Sequence, residues 1–199
     1  MPRSEDIRGI IVEALDREDA LREKAYLASR ELIRECRNHI SNSVRTETPE
    51  PLDDILLISD KLSDLRKEGD TARYHFIDDA YVELAEACIL SRLLKDGKIP
   101  DPREISIPHR DYLLGLCDVA GELRRIVLNN ILKGDLQRGR EIFERMIEIS
   151  DIIDGLVYPS GMIPIKKKQD QIRSMVDRTA GELSISLSAR GIQKERGTR

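Results

Sequence analysis

The chain is 199 residues long, with 40% hydrophobic and 35% charged residues, no Trp, five Tyr and two Phe. That is enough for one domain with its own core, and the Ala, Leu, Ile, Glu and Arg content favours a helical protein. A net charge of −4 does not announce a nucleic-acid binder, no run of ~18 uncharged apolar residues reads as a membrane span, and the acidic, amphipathic start excludes a signal peptide.

Residues 4 to about 45 read as one long helix, with Ile7, Ile10, Ile11, Ala14 and Leu15 at helical spacing. At 1.5 Å per residue it is about 60 Å long, more than a compact monomer needs. Pro49 and Pro51 in "TETPEP" end it. "DDILLISDKLSDLRKEG" is the second helix, and a third runs from about Asp70 to Lys95, stopping at "DGK". After the proline-punctuated loop "IPDPREISIP", the fourth helix ends at Gly134, and Asp135 caps a fifth that runs to about Val157. The sixth spans roughly Pro164 to Arg190, with Ile172, Val176, Thr179, Leu183 and Leu187 as its stripe. No segment alternates with β-branched enrichment. The fold class is therefore all-α, a single bundle of six or seven helices over residues 1–190, followed by a basic, flexible tail at 191–199.

The charge is unevenly spread. Thr46 to Glu86 holds twelve acidic residues against four basic ones, whereas Lys166 to Arg199 holds nine basic against four acidic. Cys36, Cys88 and Cys117 form no CxxC pattern, which suits reduced packing residues in the cytosol.

The third helix raises a specific question, because the nearly apolar "YVELAEACILSRLL" contains Glu83 and Glu86. On a helical wheel His75, Asp79, Glu83 and Glu86 share a stripe opposite Ile77, Tyr81, Leu84 and Cys88. In the fourth helix Gly115, Asp118, Glu122, Arg125 and Asn129 form a second polar stripe, opposed by Leu116, Val119, Leu123, Ile126 and Val127. Adjacent helices with paired carboxylates can bind Mg²⁺ or Mn²⁺ through hard oxygen ligands. A cation held there would let one of its waters attack a phosphodiester. The same stripes also read as solvated faces, or as partners for Arg on neighbouring helices. Arg30, Arg34, Arg37 and Arg45 recur along the first helix, and Arg73 stands beside Tyr74 and His75. Such residues suit single-stranded RNA, and equally suit ordinary solubilising charge. "IKKKQDQIR" reads as a solvated helix start.

Other templates fit less well. There is no ExxH pair for a di-iron bundle, no Gly-rich phosphate loop with Lys, no GxSxG and no HExxH. An all-α nucleotide pyrophosphatase of the MazG type matches at Glu83 and Glu86, but Asp118 and Glu122 have the wrong order and spacing.

"DYLLGLCDVAGELRRIVLNNILKGD" resembles the signature of the translin/Trax family, approximately DYLxGxxDLxGELxRxxxNxxxxGD. "SRELIRECRNHI", "ELAEA" and "LSISLSARGI" are similar to further family segments in the same order, so the resemblance covers most of the chain. It implies a translin-like bundle that binds RNA or single-stranded DNA and assembles as an oligomer, here a homo-octamer. Its Trax branch implies a metal-dependent endoribonuclease acting on single-stranded RNA or strands of a bound duplex. By that resemblance Glu83, Glu86 and Asp118 are the catalytic, Mg²⁺-coordinating acids and Glu122 a supporting acid. Arg37 falls where Trax has a functional lysine. "RYHF" is displaced by one residue from the family's position, so His75 is not carried over. A translin-like shell that binds nucleic acid without turnover is the alternative.

Overall fold

The structure is a computed structural model that describes residues 4–68 and 74–196, with side-chain surroundings for 5–68 and 74–190. Among the described residues six helices and no strand are formed: α1 (Ser4–Thr46), α2 (Asp53–Glu68), α3 (His75–Asp96), α4 (His109–Lys133), α5 (Leu136–Ile153) and α6 (Ile165–Arg196). The central element is α4, which packs against α1, α3, α5 and α6, while α1 lies along α2 and α3. No helix among the described residues is long and apolar enough to cross a membrane.

The boundaries follow local chemistry. Gly97 and Gly134 close α3 and α4 at φ 71° and 78°, the left-handed region where a Cβ is penalised. As expected, Asp135 caps α5, its side chain accepting from Arg138 N at 3.0 Å. Two ends differ from the sequence reading. Tyr74 is extended, so α3 starts at His75, and the predicted start at Asp70 lies outside the described residues. The fifth helix stops at Ile153 rather than Val157, because Asp154 is extended and Gly155 turns left-handed at φ 75°. At the other end of the chain, α6 continues to Arg196, past the expected end at Arg190.

In α1 the buried positions are Ala25, Ser29, Leu32, Cys36, His39 with its neighbour Ile40, and Ser43 with its neighbour Val44, a three-and-four spacing that seats one face on the core. Residues 5–17 are all exposed, so about the first third of α1 projects beyond the bundle. Its apolar stripe, Ile7, Ile10, Ile11 and Leu15, faces solvent within this chain. The far end of α1 is pinned by Glu47, whose carboxylate accepts from Asn130 Nδ2 at 2.9 Å and Lys133 Nζ at 3.2 Å. Across α1 and α3, the buried His39 Nε2 and Ser91 Oγ are 2.5 Å apart, and burial lowers the His39 pKa.

The predicted apolar faces of α3 and α4 are both buried: Ile77, Tyr81, Leu84 and Cys88 on one, Leu116, Val119, Leu123, Ile126 and Val127 on the other. The three cysteines are free and buried, and burial raises Cys88 to about 11 and Cys117 to about 12. They are packing residues, far from thiolate chemistry at neutral pH.

Candidate functional site

The site exists because α3 and α4 touch backbone to backbone. A Cβ built on Gly115 would lie 2.6 Å from Ala85 Cβ, 2.7 Å from the Val82 carbonyl oxygen and 2.9 Å from Glu86 N. Only glycine allows that approach, and it brings the Glu83–Glu86 turn against the Asp118–Glu122 turn. Gly115 belongs to the polar stripe as the gap that lets the two acidic turns meet.

A cleft of about 320 Å³ opens there, lined by Arg37, Ile40, Ser41, Glu83, Glu86, Glu122 and Arg125. Three of the four acids are already held by a base. Arg37 donates to Glu83 Oε1 through Nε at 2.9 Å and Nη2 at 2.6 Å. Arg125 Nη1 donates to Glu122 Oε2 at 2.7 Å. Lys168 Nζ donates to Asp118 Oδ1. Asp118 does not line the cleft itself, but its charge is felt by Glu86.

Glu86 is different. Among the described residues no side chain hydrogen-bonds or ion-pairs with it. Burial, then the charges of Asp118, Glu122 and Glu83, raise its pKa from 4.5 to about 8, with Lys168 pulling the other way. At neutral pH a partly buried carboxylate surrounded by three others keeps its proton.

Would a divalent cation suit these groups? The donors are hard carboxylate oxygens, and a positive charge would relieve the field that raises Glu86. Among the described residues no three His, Cys, Asp or Glu side chains are grouped as a ready cation site. The acids fit Mg²⁺ in chemistry and charge; binding it requires them to turn from their bases.

The other predicted residues divide. Arg30 lies over the Tyr26 ring at 5.9 Å, and Arg34 pairs with Glu35 at 2.9 Å; neither lines the cleft. Arg37 alone of the first-helix arginines reaches the acids. Arg73 lies outside the described residues. His75 is exposed, 3.7 Å from Asp78.

Sequence reasoning missed Lys168, reading "IKKKQ" as a solvated helix start. The signal was available, since Ile165, Lys168 and Ile172 fall at i, i+3 and i+7. Ile165 and Ile172 are buried, so Lys168 is carried inward while Lys166 and Lys167 remain exposed.

Comparison with known proteins gives a consistent outcome. Residues 24–180 match the Translin family. An uncharacterized protein of Methanocaldococcus jannaschii is 28% identical over 176 residues, which cover 87% of this chain and 79% of the relative. Three solved structures share the fold. That of apo-NeC3PO superposes with a TM-score of 0.73 at 16% identity, covering 94% of this chain and 98% of its own. AfC3PO matches at 0.72 and 21%, covering 92% and 97%. A complex of AfC3PO with duplex RNA matches at 0.71 and 20%, again covering 92% and 97%.

Proposed function

The chain belongs to the translin family, and from that membership we propose that it is an RNA-binding protein of the Trax branch with a Mg²⁺-dependent endoribonuclease centre. The observation behind the catalytic part is the single cleft in which Glu83, Glu86 and Glu122 meet, with Asp118 beside them. RNA binding is supported by the shared fold of the AfC3PO–duplex RNA complex and by the bases at the cleft.

In this reading Glu83, Glu86 and Asp118 hold Mg²⁺, with Mn²⁺ as a substitute, and Glu122 supports them. The bound cation would supply Lewis acidity toward a phosphoryl oxygen and a more acidic water. The chain's own residues do the rest. Arg37 and Arg125 present guanidinium groups at the cleft wall, suited to the non-bridging oxygens of a phosphodiester. A bound cation would favour Glu86 as the carboxylate. None of the three cysteines suits the role of nucleophile, because all are buried with raised pKa values. Those same reduced cysteines support a cytosolic setting.

We read the assembly as a homo-oligomer of the translin type, an octamer by resemblance. The projecting apolar stripe of α1 supports this, since Ile7, Ile10, Ile11 and Leu15 are left exposed among the described residues of one chain. By the same resemblance the ligand is single-stranded RNA or strands of a bound duplex, with single-stranded DNA as a further ligand.

One observation favours the second reading, a shell that binds nucleic acid without turnover. Glu83, Asp118 and Glu122 are neutralised by Arg37, Lys168 and Arg125, as structural ion pairs would be. Glu83→Gln separates the two: it should abolish cleavage of RNA and leave RNA affinity largely intact. If wild type binds RNA and never cuts it in any metal, the shell reading holds.

A further inference from the structure

The bases at the site come from three directions. Arg37 reaches Glu83 from α1, Lys168 reaches Asp118 from α6, and Arg125 folds back one turn along α4 to Glu122. The two arginines are 68% and 58% exposed, so their ion pairs contribute little to stability and are readily exchanged. Lys168 is more enclosed, at 28% exposure, and its ammonium emerges at Asp118. An ammonium is a compact charge with three donors, and a phosphodiester oxygen serves it as well as a carboxylate does.

Charge balance decides what such a site accepts. With all groups ionised, four carboxylates face three bases and leave one negative charge. A divalent cation alone would leave the site with one positive charge. A cation together with one phosphodiester leaves it neutral. Each ligand alone therefore leaves an imbalance that the other removes.

Building on the reading that these acids hold a divalent cation, we propose that Lys168 is a phosphate-binding residue held on Asp118 as an internal counter-ion, so that cation and RNA bind with positive coupling. With Asp118 engaged by a cation, the Lys168 ammonium would be released from its carboxylate and free to meet a phosphodiester oxygen. A phosphodiester that draws Lys168 away exposes Asp118 to the cation. Arg37 and Glu83 exchange partners in the same manner. Linkage makes the effect reciprocal, each ligand tightening the other by one factor. Simple screening predicts the opposite, because divalent ions compete with protein for RNA phosphates.

The test is Mn²⁺ binding to the full-length protein, read from the resonance signal of the free ion. It is run with and without a short 2′-O-methyl single-stranded oligonucleotide shown intact afterwards, with Mn²⁺ binding to the oligonucleotide alone subtracted. Wild type should bind Mn²⁺ about five- to tenfold more tightly with the oligonucleotide, and the oligonucleotide more tightly with Mn²⁺ by the same factor. Lys168→Met should bind Mn²⁺ more tightly than wild type in the absence of oligonucleotide and lose most of the coupling. Lys168→Arg should retain coupling. Mn²⁺ binding that is unchanged or weakened by the oligonucleotide overturns the coupling and leaves the cation site standing. Full coupling in Lys168→Met overturns the role of Lys168. Absence of Mn²⁺ binding altogether removes the cation-site reading, and the coupling with it. Should Lys168→Met fail to fold, Lys168→Gln takes its place in the same comparison, with the same loss of coupling expected.

Discussion

Arg37 Nε and Nη2 both donate to the same oxygen of Glu83, Oε1, at 2.9 and 2.6 Å, across the contact between α1 and α3. Both bonds converge on one atom, so Oε2 takes neither. Arg37 is 68% exposed and Glu83 19%, which makes the pair cheap to open. Arg37→Ala should cost only about 0.5 kcal/mol of stability. It should weaken RNA binding several-fold, because a phosphate-facing cation is lost, and Arg37→Lys should recover part of that loss. Thermal melting and RNA titration on the same preparations check both halves.

The contact at Gly115 gives a sharper steric prediction. A Cβ there meets the Val82 backbone and Ala85, which cannot yield without parting α3 from α4. Gly115→Ala should destabilise the fold by about 3 kcal/mol, as overpacking does. Gly121 lies on the same helix with nothing within 4 Å of a built Cβ. Gly121→Ala should therefore stabilise α4 by about 0.5–1 kcal/mol through helix propensity. Urea unfolding of the two variants should move in opposite directions.

Glu86 sets a pH dependence whose sign is fixed by its environment. Its pKa in the folded protein is raised to about 8 from 4.5, so the folded state binds more protons than the unfolded state between those values. Its share of stability is complete at pH values below 4.5 and is lost as pH rises toward 8. Glu86→Gln, which cannot ionise, should melt near wild type at pH 5 and above it at pH 8.5, by about 1–2 kcal/mol. Mg²⁺ should stabilise the wild type more at pH 8.5 than at pH 6, because cation binding requires the carboxylate. Melting curves across pH, with and without Mg²⁺, read both effects.

The projecting third of α1 predicts assembly without folding. Ile7, Ile10, Ile11 and Leu15 contribute nothing to the core of one chain. Ile10→Glu with Ile11→Glu should lower the oligomeric mass in light scattering and leave the helical content intact. An unchanged mass would put the interface elsewhere.

Much of this fold is legible in the chain because its stops are chemical. Pro49 and Pro51, Gly97, Gly134 and the cap at Asp135 bound helices whose apolar faces recur at helical spacing. The acidic stripes are legible for the same reason, since Glu83 with Glu86 and Asp118 with Glu122 each lie one turn apart. What spacing does not contain is which helix faces which. Arg37 and Glu83 are 46 residues apart, and Lys168 and Asp118 are 50 apart. Those pairs depend on how α1 and α6 settle against α3 and α4. The role of Gly115 is hidden likewise, because a glycine in a polar stripe says nothing of the backbone that will rest on it. Arg30 and Arg34 look like Arg37 in sequence; their register turns them to Tyr26 and Glu35 instead.

A cation centre on Glu83 and Glu86 is tested by cleavage of an end-labelled single-stranded RNA in Mg²⁺, in Mn²⁺ and in EDTA, with wild type beside Glu83→Gln and Glu86→Gln. Wild type should make internal cuts in either metal and none in EDTA, and neither variant should cut although both bind the RNA. Cleavage that survives EDTA, or that both variants retain, would contradict a cation centre built on these glutamates.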